Sequence, residues 1–474
     1  MLFPTIDFAI FFAVAFLANW LLNPYARVWK LAMVALSYLF YSWWDWRFVF
    51  LLAGVTVTAQ AGAAAIHRTE DPRLRKTFLL ATLAVLLGLL AWFKYYGFLA
   101  LNLDNAGHAL GQGQLLPLVE VTLPVGISFF TFMAVSYVVD VHRRKLAPAR
   151  PIDLAVYLSF FPHLVAGPIV RGDELLPQIR RRRDPARIDF SRAAWLIGAG
   201  LFKKVVISSY LATAIVDPVF EAPHQHSAPE ILVAVYGYAV QIYADFSGYT
   251  DIAIGLALLL GFRFPANFDA PYTARSLQDF WRRWHITLSR WLRDYLYIPL
   301  GGNTGSEWKV SRNILITMVL GGLWHGAAWT FVIWGAIHGT GQVVGRLRRS
   351  YRRSQGLDPQ PDSPSRIALQ RFLTFQIVCL GWVFFRADSL GSALTLLGRL
   401  VTAWGRAPLV TPLVVLAVVV GIGSQYVPLG AVERVQGLYS RQPLLLQGVI
   451  LGGVLLAITT LGPQGVAPFI YYRF

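Results

Sequence analysis

An all-α, polytopic membrane helical bundle is the fold class this sequence predicts, and three observations predict it. Of 474 residues, 56% are hydrophobic and only 14% charged. Mean hydropathy is +0.51, well above that of ordinary soluble domains. Apolar runs near the roughly 20 residues needed to cross about 30 Å of hydrocarbon recur from end to end. In order, the candidate spans are Thr5 to Leu22, Val28 to Trp44, Phe48 to Ile66, Thr77 to Leu101, Leu118 to Val141, Leu154 to Val170, Ala193 to Val216, Ile231 to Ala244, Ile252 to Gly261, Val310 to Leu323, Ala327 to Val344, Ala368 to Phe385, Leu409 to Tyr426 and Leu444 to Leu461. Several are too short to cross alone and read as re-entrant or interfacial pieces. About eleven true crossings are expected, in one integral-membrane domain spanning 1–474.

A formal charge of +17 and a pI near 10.1 invite a nucleic-acid reading, but the cations sit in short clusters between apolar spans. Positive-inside topology accounts for them, and no nucleic acid is expected. Clusters at Arg68 to Lys76, Arg143 to Lys145, Arg180 to Arg183 and Arg346 to Arg353 are placed in the cytoplasm. Between Lys94 and Arg143 there is no Lys or Arg, so the loop with Asn102 to Gln114 is placed outside. Alternation then puts both termini outside. The lone Cys379 excludes an intrachain disulfide framework and a cysteine metal site. The first span lacks a basic leader and reads as a retained helix, not a signal peptide. Ser350 to Arg366, with Pro359, Pro361 and Pro364, reads as a flexible cytoplasmic loop. No internal repeat is evident, which weakens an inverted-repeat transporter.

Polar groups inside apolar spans are functional candidates by default, and here they form islands. "FFPHLVAGPIVR", Phe160 to Arg171, holds Pro162 and Pro168, so a broken helix is expected. "YADFSGYTDIAIG" carries Asp245 and Asp251, read chiefly as structural partners of freed backbone or of an arginine such as Arg171, and secondarily as chemical groups.

The densest island is Ser276 to Gly302, within an amphipathic segment over 268–302. At helical spacing Phe280, Trp284, Leu288, Trp291 and Tyr295 form one stripe, with Asp279, Arg282, Arg283, Arg290 and Arg293 mostly on the other face. That pattern predicts an interfacial helix, started by a Ser276/Asp279 capping box, with membrane lipids against its arginine face. The same arginines suit the phosphates of an anionic cosubstrate. His285 falls at the edge of the apolar stripe, as a hydrogen-bonded core residue or as a catalyst.

His325 lies in "GGLWHGAAWTFVIWG". Gly321, Gly322 and Gly326 permit close approach, and Trp324 and Trp329 give flat apolar walls. A neutral imidazole there can take the proton of a hydroxyl attacking a carbonyl, then return it to the leaving group. No G-x-S-x-G motif is present, which favours a bound hydroxyl acceptor over an enzyme serine. His285, His325 and His338 have no acidic or cysteine companion at ligand spacing, so no metal is expected.

"NFDAPYTARSLQDFWRRWHITLSRWLRDYLYIPLGGN" followed by "GGLWHGAAWTFVIWGAIHG" resembles the signature of the membrane-bound O-acyltransferase family, in its bacterial polysaccharide branch. "LPVGISFFTFMAVSYVVDV", "FPHLVAGPIVR", "QIYADFSGYTDIAIG" and "GWVFFRADSL" match the same branch, so the resemblance runs from about Ile6 to Phe385 and beyond. It implies a central cross-membrane tunnel, with His325 as the catalytic base and His285 as the second motif histidine. Arg282, Arg283, Trp284, Trp324, Asp245 and Asp251 become donor-binding or tunnel candidates. It further implies acetyl transfer from cytoplasmic acetyl-CoA, with no other cofactor, toward O-acetylation of an external polysaccharide such as alginate, with a periplasmic partner transferase, in a bacterial inner membrane. The C-terminal "FIYYRF", 469–474, resembles an aromatic motif in which Tyr471 is the candidate acyl carrier. D-alanyl transfer from a carrier protein and, in another class, a polysaccharide channel or flippase are the alternatives.

Overall fold

Helix boundaries follow from the local sequence. Thr5, Ser306, Ser363, Ser389 and Thr411 each accept the backbone N–H three residues on, satisfying a donor that the helix itself leaves unpaired. Pro72, Pro364 and Pro412 sit in first turns, where proline has no hydrogen bond to lose. The computed structural model describes residues 3–112, 116–117, 119, 121–357, 363–461 and 470, and every regular element among them is helical. Two compact units result.

The first unit comprises Met1–Ala193 and Ala253–Pro265. Its helices are α1 (Ile6–Leu21), α2 (Ala26–Ser42), α3 (Arg47–Arg68), α4 (Pro72–Ala109), α5 (Ile127–His142), α6 (Pro151–Ser159), the single turn α7 (Phe161–Leu164) and α8 (Gly172–Arg180). Helix α3 buries Leu52, Val55, Ala59, Ala63 and Ile66, spaced by three and four, against α4 and α5. The expected break is present: α6 stops at Ser159, Pro162 opens α7, and Phe161 packs on Phe8, Phe11 and Phe40.

The second unit comprises Ala194–Ile252 and Ala266–Phe474. It contains most of α9 (Phe190–Glu221) and α10 (Ala228–Leu259), then α11 (Leu277–Arg283), α12 (Ile286–Leu292), α13 (Glu307–His325), α14 (Trp329–Ser354), α15 (Pro364–Arg386), α16 (Leu390–Thr402), α17 (Pro412–Gly423), α18 (Leu429–Ser440) and α19 (Leu444–Leu461). A β-carbon added at Gly200 of α9 would lie 2.6 Å from the Gly248 carbonyl oxygen of α10. Glycine thus lets these two backbones touch, as small residues do between membrane helices.

Among the described residues five helices, α3, α4, α9, α15 and α19, are long and apolar enough to cross a membrane, and a pair bent by 93° over Pro412–Tyr426 and Gly430–Ser440 would make six. About eleven were expected. Two predicted spans merge into α10, and α1 and α5 have 16 residues each and α16 has 13, rising about 24 Å or less.

Candidate active site

His325 ends α13, and the chain returns at once as α14. The hairpin closes because a β-carbon at Gly322 would lie 2.2 Å from the Phe331 carbonyl oxygen, and one at Gly335 would lie 2.4 Å from that of Met318. The close approach foreseen at Gly322 is thus made by backbone. The His325 ring is 2% exposed and boxed edge-on by Trp324 at 5.0 Å, Trp334 at 5.0 Å and Phe385 at 5.1 Å. Trp324 also contacts His285, at 5.9 Å between centroids, so one indole touches both motif histidines.

His285 does not sit in a helix. The continuous helix expected over 276–302 is α11, a break at His285 with φ +42°, α12, and a π turn over Arg293–Tyr297. The cause lies 18 to 20 residues upstream. Asn267 Oδ1 accepts the Thr287 N–H at 3.1 Å and the Thr287 hydroxyl at 2.9 Å, while the Asn267 carbonyl accepts the Ile286 N–H at 2.9 Å. These are the donors a starting helix leaves open, so Asn267 caps α12 from a distance. His285 Nδ1 lies 3.2 Å from the same Oδ1, and the Phe246 ring meets the imidazole edge-on at 4.6 Å. Despite the break, both faces persist: Phe280, Trp284, Leu288 and Trp291 are buried, while Arg282 and Arg293 are exposed. The start is also as read, since Ser276 accepts the Asp279 N–H at 3.2 Å.

The arginine face bounds a cavity of about 600 Å³. Arg282, Arg290 and Arg293 converge there with Arg346 and Arg349 of α14, beside Trp281 and Tyr297, and among the described residues no acidic side chain lines it. Burial chiefly, and then the like charges of Arg353, Arg346 and Arg282, press Arg349 below the usual arginine range. Arg283 is not in this lining; it is tied to Asp279 at 2.9 Å and lies 3.6 Å from Asp269. Trp284 is core, packed on Phe280 and Trp382.

The aspartates are paired with lysines that the sequence reading passed over inside a span. Lys204 pairs with Asp245, both side chains 2% exposed, and Lys203 meets Asp251 at 2.5 Å. Both lysines lie in a π turn of α9, Phe202–Ser208, brought to α10 by the Gly200 and Gly248 crossing. Asp245 Oδ2 also accepts the N–H of the buried Ile470 at 2.9 Å. Tyr471 lies outside the described residues.

Asn267, Lys203 and Lys204 escaped the sequence reading, and the α14 arginines were read as topology determinants and not as part of a site. A lone asparagine in "FPANFD" and the "FKKV" pair inside an apolar run were the available signals.

The family model of membrane-bound O-acyltransferases matches residues 76–361. The chain is 40% identical over 396 residues to a probable alginate O-acetylase of Pseudomonas aeruginosa, covering 82% of this chain and 73% of that protein. It is 36% identical over 430 residues to a peptidoglycan O-acetyltransferase of Helicobacter pylori, covering 84% and 79%. To a teichoic acid D-alanyltransferase of Streptococcus thermophilus it is 28% identical over 280 residues, covering 55% and 68%. The chain therefore belongs to the membrane-bound O-acyltransferase family, and is a multi-pass membrane O-acyltransferase.

Proposed function

We propose that this protein takes an acetyl group from cytoplasmic acetyl-CoA and delivers it for O-acetylation of a polysaccharide outside the inner membrane. The observation that carries the reading is the apolar box around His325, linked through Trp324 to His285 and placed in the same unit as a cavity lined by five arginines. Five arginines suit the phosphates of coenzyme A. A ring nitrogen of His325 takes the proton of an acceptor hydroxyl as its oxygen attacks the thioester carbonyl. The tetrahedral intermediate collapses, the C–S bond breaks, and the imidazolium returns the proton to the thiolate. Aromatic walls exclude the water that would otherwise hydrolyse the thioester.

In this reading the first acceptor is Tyr471. An aryl ester retains transfer potential because phenoxide, with a pKa near 10, leaves more readily than an alkoxide. A partner transferase outside the membrane then moves acetyl to the polymer. Ile470, next to Tyr471 in sequence, is buried with its N–H on Asp245, which supports this reading. Both termini lie outside in this topology. The named acetylases among the relatives support acetyl; the teichoic acid relative keeps D-alanyl from a carrier protein as a second reading.

The test follows labelled acetyl from acetyl-CoA into polymer and onto the C-terminal peptide, with partners present, in the native chain, His325→Gln and Tyr471→Phe at matched membrane abundance. Label should vanish in both variants. Transfer surviving in Tyr471→Phe would remove the carrier step, and transfer surviving in His325→Gln would make that histidine structural. Label entering only from an acylated carrier protein would favour D-alanyl chemistry, and polymer flux without any acyl donor would indicate a channel.

A further inference from the structure

Two buried histidines of the second unit are set in opposite tautomers by their neighbours. At His338 the partner of Nδ1 is Trp281 Nε1–H, at 3.2 Å. An indole nitrogen only donates, so this Nδ1 is a bare acceptor and the neutral ring carries its proton on Nε2. That Nε2 is closed off by α15, where a β-carbon added at Gly381 would come within 3.0 Å of it.

At His285 the partner of Nδ1 is Asn267 Oδ1, at 3.2 Å. The amide cannot be turned round, because its oxygen already receives the Thr287 N–H at 3.1 Å and a flip would set NH₂ against a backbone N–H. An oxygen acceptor requires the proton on Nδ1, and His285 Nε2 is left with a bare lone pair. The ring is 0% exposed, and this nitrogen has no hydrogen-bond partner among the described residues. The rings of Phe246 and Trp324 pack edge-on against the imidazole, and among the described residues no acceptor is hydrogen-bonded to Nε2 to stabilise a second ring proton. An unpaired buried acceptor is costly, and its retention asks for a use. The next residue, Ile286, lines the arginine cavity.

We propose that Asn267 is a positioning residue that locks His285 as the Nδ1–H tautomer, keeping Nε2 ready to accept a hydrogen bond from an O–H or N–H of substrate. The identity of that substrate rests on the acyl-transfer reading; the tautomer does not. His338, fixed the other way, offers only a donor, and that donor is closed off.

The experiment uses the full chain in detergent or nanodiscs with ¹⁵N-labelled histidine, His285 being assigned by comparison with His285→Gln. Native protein should show the Nδ1-protonated pattern at His285. Asn267→Asp, which keeps an oxygen acceptor, should retain that pattern and most of the transfer. Asn267→Leu should lose the pattern and lower transfer about ten- to a hundredfold, as for partners that orient a working histidine. A rise in KM for acetyl-CoA would place the hydrogen bond on the donor's amide arm; a fall in kcat alone would place it on the acceptor hydroxyl. A native Nε2–H or imidazolium signal overturns the proposal, as does an Asn267→Leu protein that changes tautomer with neither KM nor kcat moving. If the leucine variant does not fold, the native and Asn267→Asp spectra still decide the tautomer. Absence of transfer in the native chain would count against the acyl-transfer reading and leave the tautomer result standing.

Discussion

The second unit holds two polar islands in apolar surroundings, and they are built on opposite principles. Where α9 meets α10, each carboxylate has its own ammonium: the buried Asp245 has Lys204, and the partly exposed Asp251 has Lys203. Around α13 and α14 the polar groups are imidazoles walled by tryptophan and phenylalanine rings. Charge in a membrane interior survives only when cancelled, and the first island meets that demand by pairing α9 to α10. A neutral imidazole has no such obligation, and its second nitrogen stays available for a proton. The difference sorts the two islands more sharply than burial does, because the Lys204 and Asp245 side chains are as deeply buried as His325, each 2% exposed.

Four substitutions test this division. The largest effect belongs to His325→Gln, where acyl transfer should fall about a hundredfold or more while thermal unfolding in detergent shifts little. Labelled transfer per mole of folded protein is the measurement, and equal losses of stability and transfer would erase the contrast. Lys204→Met comes next. Removing one partner of a buried pair strands Asp245, so the fold should lose about 3–5 kcal/mol, most of it restored in Lys204→Met with Asp245→Leu. Recovery of transfer along with stability in that double variant would place the pair in the scaffold; a stable but inactive one would move it into the chemistry. Lys203→Met should cost about 1 kcal/mol or less, because its side chain and that of Asp251 are 25% and 26% exposed and water screens them.

Much of this was legible in the sequence for a physical reason: ionisable residues in apolar runs are rare enough to stand out, as His325, Asp245 and Asp251 did, and His285 stood out at the edge of an apolar stripe. The helix break at Pro162 was legible too, since a proline ring cannot be hidden. The break at His285 was not. Its local pattern is a good helix, and the interruption comes from Asn267, which no periodicity within 276–302 can reveal. Lys203 and Lys204 were invisible as partners because pairing them to α10 needs the crossing of Gly200 with Gly248, a tertiary fact. The α14 arginines read as topology determinants, and only the fold brings them opposite those of α11 and α12.

The smallest effect tests the cavity beside the histidine island. Glu307 holds Arg346 through Oε2 at 2.8 Å, and Arg346 in turn keeps the Glu307 carboxyl below its usual range. Glu307 is therefore an anion at neutral pH, and the pairing is lost only as pH falls through that lowered value, below the ordinary 4.3 or so. It offsets one of the five arginines that line the cavity. Glu307→Gln keeps the shape, releases Arg346 and leaves the cavity one charge more positive. A solvent-screened surface ion pair is weak, so KM for acetyl-CoA should fall by no more than about fivefold, with kcat unchanged and the gain shrinking as salt is raised. Arg346→Gln should move KM the other way. An altered kcat at constant KM would mean that this network acts on the histidines and not on donor capture, and the boundary between the charged and neutral islands would then have to be redrawn through α13.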